Sequence, residues 1–165
     1  MLNWDLYAHS PAAFIFVMAV FGSMLASFGN VVIYRLPIML WSDNPDKITL
    51  NHPRSSCPHC HSAIRWYHNI PVIGWLWLLG RCLDCKTHIP FRYLLIELSG
   101  AILGGVCASI FLDFSITLAA MLLALSVIIN LVIYYRHRRV SGHILTFSTV
   151  LLCLFFISHY TTFLL

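Results

Sequence analysis

Charged residues are scarce in this chain. Only 10% of its 165 residues are Asp, Glu, Lys or Arg, whereas 59% are hydrophobic and the mean hydropathy is +0.81. In an ordinary soluble domain about a quarter of the residues are charged, so this composition excludes that class. The apolar residues are collected into runs long enough to cross a bilayer, which indicates a membrane protein with several spans.

Lysine and arginine are also missing from residues 1–11, which precede the first apolar run. A secretory signal peptide begins with a basic segment and has a shorter apolar run, so this first run is expected to stay in the membrane. The net charge of +4 is a weak signal for nucleic-acid binding, and no nucleic-acid partner is expected.

Four segments have the length of a transmembrane helix. At about 1.5 Å per residue each one crosses a hydrocarbon core of about 30 Å. The sequence therefore predicts an all-α integral membrane protein with four transmembrane helices and one sizeable polar loop. The predicted helices cover residues 12–36, 91–112, 115–135 and 143–165, and the predicted parts are residues 1–36, the loop 37–90, and residues 91–165.

The basic residues predict the orientation. All ten Lys and Arg residues fall on one side of a four-helix arrangement, either in or at the edges of the loop after the first helix or between the third and fourth helices. Because cytoplasmic loops carry the excess of Lys and Arg, we expect the loop to be cytoplasmic and both termini periplasmic. Inside the loop, residues 70–80 are apolar but about half the length of a span. They either lie in the membrane interface, as Trp66, Tyr67, Trp75 and Trp77 suggest, or pack under the bundle.

Four of the six cysteines form two Cys-x-x-Cys pairs in the loop. Two such pairs about twenty residues apart are typical of a zinc site with four thiolate ligands, and a reducing cytoplasm disfavours structural disulfides. Four thiolates leave no open position for water, so one structural zinc ion is predicted. Its ligands are Cys57, Cys60, Cys82 and Cys85.

Other interpretations of the cysteines stay open. The pairs can form a redox dithiol or remain free, and His59, His61 or His88 can replace one sulfur. Cys107 and Cys153 lie inside predicted helices, where a cysteine is expected to serve as a small apolar packing residue.

Several stretches of the chain resemble the type IV prepilin peptidase family. They are residues 26–37 (ASFGNVVIYRLP), 56–60 (SCPHC), 64–72 (IRWYHNIPV) and 80–85 (GRCLDC), followed by Ile89, Arg92-Tyr93 and Glu97-Leu98. The resemblance implies a bacterial inner-membrane protein. Members of the family are aspartyl proteases that cut the leader from prepilins and pseudopilins of type IV pili and type II secretion systems. Many also methylate the new N-terminus with S-adenosylmethionine.

The chain departs from the family at its catalytic aspartates. The first family aspartate follows the third helix in an Ala-Leu-Ile-Asp context, and here residues 124–131 read ALSVIINL, so Asn130 occupies that position. The second lies in a Gly-x-Gly-Asp motif, which none of the six acidic residues has around it, and the sequence ends at Leu165 before the helices that carry that motif. Two carboxylates are needed for this hydrolysis, so we expect a truncated homologue that is not an enzyme.

The resemblance then implies a binding protein. It is expected to hold pilin or pseudopilin subunits, minor pilins among them, and to assist pilus or type II secretion assembly. The alternatives are an S-adenosylmethionine-dependent methyltransferase of such subunits and a regulatory partner of the full-length peptidase. Membrane lipids are further expected partners. The candidate partner-binding residues are Asn30, Glu97 and Asn130.

Two of these candidates also have structural interpretations. Glu97 either pairs with Arg92 or Arg35 or attracts the positive N-terminus of a subunit. Asn30 either forms a helix-to-helix hydrogen bond or contacts a ligand. Small residues on the first two helices, Gly22, Gly100 and Gly104 among them, serve either intrachain packing or docking of a subunit helix.

Overall fold

The structure is a computed structural model, and it describes residues 10–42, 48–111, 113–139, 142 and 144–153. Over these residues the chain is helical, without a β-strand, and two isolated β-bridges lie in the loop. The predicted class, an all-α membrane protein with a four-cysteine loop between its first two long helices, is confirmed. The elements in chain order are α1 (Pro11–Trp41), a 3₁₀ helix (Trp66–Asn69), α2 (Ile73–Trp77), α3 (Arg92–Phe111), α4 (Phe114–His137) and α5 (Ile144–Cys153).

Three of the described helices, α1, α3 and α4, are long and apolar enough to cross a membrane. The 20 residues of α3 extend over about 30 Å, which matches a hydrocarbon core without surplus. Of the predicted fourth span, ten residues are described as α5, and residues 154–165 lie outside the described part of the chain. The fourth span therefore stays a prediction, as does the side of the membrane on which each terminus lies.

The first helix is longer than predicted. It continues through Pro37 to Trp41 instead of ending at Leu36, and the N–H of Ser42 still donates to the carbonyl of Ile38. Pro37 removes one N–H donor from the helix, but the apolar residues that follow it readily continue the turn. The polar loop therefore begins after Trp41.

The described residues form two compact units. One contains residues 10–22 and the described part of 100–153, and the other contains the described part of 23–99. In the first unit, Asp113 caps the N-terminus of α4: its carboxylate accepts the N–H of Ile116 at 2.9 Å. The side chains of α4 that are buried are Ile116, Thr117, Met121, Leu125, Ser126, Asn130 and Ile133.

Within this same unit, α1 and α3 approach each other at glycines. A Cβ atom on Gly104 would lie 2.1 Å from the carbonyl oxygen of Met18, and one on Gly22 would lie 2.2 Å from that of Gly100. Backbones approach this closely only where at least one helix has a glycine at the contact. The small residues at these positions therefore serve packing within the chain, as one of the two interpretations predicted.

Replacing Gly104 by Ala should destabilise the α1–α3 contact, because its methyl group overlaps backbone atoms that cannot rotate away. Gly105→Ala is the matched control, since its Cβ would meet only side-chain carbons of Ala19 and Ile15 at 3.7 Å. We expect Gly104→Ala to cost about 1–3 kcal/mol and Gly105→Ala to be nearly neutral. Thermal unfolding in detergent, followed by circular dichroism, measures both, and equal melting temperatures would contradict this packing.

Candidate functional site

Each Cys-x-x-Cys pair lies at the tip of a tight backbone turn. In the first turn, the N–H of Cys57 donates to the carbonyl of Ser62 and the N–H of His61 donates back to the carbonyl of Cys57, both at 2.9 Å. A β-bridge between Ser56 and Ala63 closes the turn. The two cysteines are thereby held on one rigid hairpin-like knuckle.

The second turn repeats the first with every residue number raised by 25 (57 to 82, 61 to 86). The N–H of Cys82 donates to Thr87, the N–H of Lys86 donates to Cys82, and a bridge joins Arg81 to His88. The residue after each second cysteine, His61 or Lys86, has a φ of +59°. Both residues adopt the left-handed backbone conformation, which is strained for a residue with a side chain, and the chain reverses direction there behind the cysteines.

The two knuckles face each other through their sulfurs. The Sγ atoms of Cys57 and Cys85 are 3.7 Å apart, those of Cys60 and Cys82 are 3.9 Å apart, and all four lie within 4.8 Å of one another. Sulfurs bound tetrahedrally at about 2.3 Å from a zinc ion are about 3.8 Å apart. The four thiols can therefore hold one tetrahedral metal ion without rearrangement.

The separations also bear on the alternatives for these cysteines, of which a reduced dithiol and free thiols stay open beside a metal site. Disulfide sulfurs are about 2.05 Å apart, so the 3.7 Å separation is not a disulfide, and all six cysteines of the chain are free. The metal-capable group within the described residues consists of cysteines alone, and His59, His61 and His88 are not members of it. The four predicted ligands are the residues that the structure brings together.

Hydroxyl groups support the second cysteine of each knuckle. The Oγ of Ser62 lies 3.0 Å from the Cys60 sulfur, and the Oγ1 of Thr87 lies 3.2 Å from the Cys85 sulfur. A thiolate can only accept, so each hydroxyl donates to it once the proton has left. The Ser62 hydroxyl, together with the Ser62 backbone N–H, lowers the pKa of Cys60 to about 6.

Backbone donors act on the second knuckle in the same way. The N–H groups of Cys85 and Asp84 lower the pKa of Cys82. Metal ligation requires thiolates, so these donors favour the ligating form of Cys60 and Cys82. Sequence reasoning missed Ser62 and Thr87, although the shared pattern Cys-x-x-Cys-x-Ser/Thr in both knuckles was a readable signal.

The loop is fastened to α1 by Arg35. Its Nη1 donates to the carbonyls of Thr49 and Leu50 at 2.8 and 3.1 Å, and its Nη2 donates to that of Pro53 at 2.6 Å. Only 9% of this side chain is exposed. The guanidinium group therefore serves to fold the start of the loop onto the helix end.

Glu97 on α3 is the second fastening point. Its Oε1 accepts the hydroxyl of Ser27 on α1 at 2.8 Å, and its Oε2 accepts the backbone N–H of Val72 at 2.7 Å. The expected ion pair with Arg92 or Arg35 was wrong, because Arg35 is engaged by loop carbonyls and Arg92 lies over the ring of Tyr93. Both oxygens of Glu97 are thus used inside the protein.

Val72, the residue that Glu97 binds, has an unusual backbone. Its φ is +63° and its ψ is −54°, and the N–H of Ile73 donates to the carbonyl of Pro71 at 2.6 Å across it. A γ-turn of this hand is strained, and a β-branched residue rarely adopts it. The carboxylate bond to Val72 N–H is one of the contacts that hold this turn in place.

The remaining two partner-binding candidates lie in different units. Asn30 on α1 donates from Nδ2 to the carbonyl of Tyr93 on α3 at 3.2 Å, which is a helix-to-helix hydrogen bond. Asn130 on α4 is 8% exposed, and its Oδ1 has no hydrogen-bond partner within the described part of the chain. A partner-binding role for Asn30, Glu97 or Asn130 stays a prediction.

Cys82→Ser should abolish metal binding by the cluster, because a neutral hydroxyl is a poor replacement for one of four thiolates. Cys153→Ser is the matched control, since this cysteine is exposed on α5 and is not part of the cluster. We expect about one metal ion per chain in the unmodified protein and in Cys153→Ser, and less than a tenth of that in Cys82→Ser. Elemental analysis of protein purified without chelator measures the ratio, and metal-free unmodified protein would contradict the site.

Comparison with known proteins identifies the family. The bacterial peptidase A24 N-terminal domain matches residues 20–111. The chain is 38% identical over 145 residues to the type 4 prepilin-like proteins leader peptide-processing enzyme of Escherichia coli O78:H11 (strain H10407 / ETEC), which covers 82% of this chain and 54% of the relative.

Two further relatives are named prepilin leader peptidase/N-methyltransferase. That of Stutzerimonas stutzeri is 41% identical over 134 residues, 72% of this chain and 46% of its own. That of Aeromonas hydrophila is 42% identical over 129 residues, 68% of this chain and 44% of its own. No solved structure matches the chain. The chain spans about half the length of these curated relatives. Its residues 20–111 match the N-terminal domain of the prepilin leader peptidase family, and the chain belongs to that family.

Proposed function

We propose that this protein is a non-catalytic member of the family that binds pilin or pseudopilin subunits in the bacterial inner membrane and assists pilus or type II secretion assembly. The observation that carries the proposal is Asn130, which stands where the resemblance puts the first catalytic aspartate. In the proposed topology the four-cysteine loop is cytoplasmic and both termini are periplasmic, as the distribution of basic residues favours.

The chemistry of peptide hydrolysis explains why one substitution matters. In an aspartyl protease one carboxylate takes a proton from water while a protonated neighbour supports the carbonyl oxygen. An asparagine amide does not ionise, so it cannot serve as the base. Asn130 is about the size of an aspartate and is buried on α4, but its amide both donates and accepts hydrogen bonds and cannot take up a proton at neutral pH.

The binding half of the proposal is supported by what the chain retains. Residues 20–111 match the bacterial peptidase A24 N-terminal domain, and the relatives are named for the processing of prepilin leaders. We infer that this shared domain recognises the same class of subunit here. Of the three candidates, Asn130 has an acceptor atom without a partner among the described residues, whereas Asn30 and Glu97 already have contacts within the chain.

We further propose that the metal is zinc and that its role is structural. Four thiolates in tetrahedral arrangement favour zinc over magnesium, calcium or manganese, which prefer oxygen ligands. With all four positions filled by sulfur, no open position is left for substrate or water. The metal would then supply much of the folding free energy of a loop that has little core of its own.

The methyltransferase alternative is kept by one observation. Two of the relatives are named as N-methyltransferases as well as peptidases. The sequence contains no glycine-rich motif of the dinucleotide-binding type that would indicate a pocket for S-adenosylmethionine. The methyltransferase alternative is therefore supported by the names of the relatives. Transfer of a labelled methyl group from S-adenosylmethionine to a processed subunit distinguishes this alternative from pure binding.

The proposal predicts that the chain retains a prepilin without cutting it. In a reconstituted assay the purified protein should hold the uncut subunit, while the Aeromonas hydrophila relative, as positive control, should release the leader. Asn130→Asp should not restore cleavage, because none of the other acidic residues in the sequence lies in a Gly-x-Gly-Asp motif. Cleavage by the unmodified chain would refute the non-catalytic assignment, and failure to retain the prepilin would refute the binding role.

A further inference from the structure

A patch of large apolar side chains remains exposed on the loop. We call it the loop patch, and it is independent of the subunit-binding proposal. Its tryptophans and Leu79 are the most exposed, at 78% for Trp66, 74% for Trp77 and 80% for Leu79. An exposed apolar surface of this kind marks a contact with a partner or a membrane. The members of the loop patch are Trp66, Ile73, Leu76, Trp77 and Leu79.

The loop patch is held beside the beginning of α3. Oε2 of Glu97 accepts the N–H of Val72, the residue before α2, at 2.7 Å. The ring of Trp75 in α2 packs edge to face on Phe91 with 5.6 Å between centroids, and its Nε1 donates to the carbonyl of Ile89 at 3.3 Å. The residue before α2 is therefore bound to α3 through its backbone, and Trp75 in α2 is bound through its side chain to the residues just before α3.

The length of α3 indicates how deep in the bilayer the contact between Glu97 and Val72 lies. Its 20 residues extend over about 30 Å, so a helix that crosses the hydrocarbon core has no turns to spare and Arg92 must lie at the interface. Glu97 is five residues further on, about 7.5 Å deeper along the axis. A backbone N–H bound to its carboxylate therefore lies at the boundary between headgroups and acyl chains, and not in bulk water.

We infer that the loop patch is inserted in the lipid interface of the same bilayer that α3 crosses, so that α2 is an interfacial anchor for the metal-binding loop. The occupant is lipid because the attachment puts α2 at acyl-chain level, where an exposed isoleucine or leucine gains by leaving water. Tryptophan is enriched at the membrane interface, and the loop patch contains two exposed tryptophans, Trp66 and Trp77. This anchoring would keep the cysteine cluster at a fixed height over the membrane.

Tryptophan fluorescence in phosphatidylcholine vesicles tests the inference on the full chain. Replacing Trp4, Trp41, Trp66 and Trp75 by Phe leaves Trp77 as the only tryptophan. Its emission should be quenched at least threefold more strongly by lipids brominated near the top of the acyl chain than by aqueous iodide. The matched control moves the probe to an exposed knuckle position, with His59→Trp in the background without tryptophan, and should respond mainly to iodide.

Each other result overturns the inference. Strong iodide quenching of Trp77 would put the loop patch in water, and shielding of Trp77 from both quenchers would show that a second copy of the chain covers it. Because the substitutions can disturb the fold, the unmodified protein gives an independent measurement. Phosphatidylcholine with a diazirine beside the headgroup should label peptides within residues 66–79, and absence of that label would contradict the insertion.

Discussion

A single carboxylate joins three distant parts of this chain. Glu97 on α3 receives the hydroxyl of Ser27 on α1 and the backbone N–H of Val72 in the loop. A charge near the hydrocarbon core is costly unless donors surround it, and here both oxygens have one. The same bond supports a strained turn that the sequence around Val72 would not adopt unaided. The position of α2 beside the beginning of α3 depends on this contact together with those of Trp75.

The cysteine cluster bears on a different problem, which is how a loop with few buried side chains keeps one conformation. Two knuckles of identical backbone pattern each present two sulfurs, and Cys57 faces Cys85 while Cys60 faces Cys82. Neither knuckle forms the cluster alone, so a bound ion would link residues on both sides of the apolar segment. Arg35 closes the loop at its other end through three backbone carbonyls.

Much of this architecture was predictable from the sequence, and the reasons are local. Apolar length predicted α3 and α4 to within two residues at each end, and cysteine spacing predicted the four sulfurs that the structure brings together. The end of α1 was missed because one proline did not stop a strongly apolar helix. The partners of Glu97 and Arg35 could not be predicted, because a backbone N–H or carbonyl leaves no sequence signal. The hydroxyls of Ser62 and Thr87 were readable, but only by comparing the two knuckles.

In the proposed function this chain binds pilin-like subunits and does not cut them. Cross-linking in native membranes, followed by purification of the chain in mild detergent and mass spectrometry of the bound proteins, tests this most directly. We expect pilin or pseudopilin subunits to be enriched over a control purification of an unrelated protein with three apolar spans. Enrichment of the full-length peptidase alone, or of neither, would contradict the account.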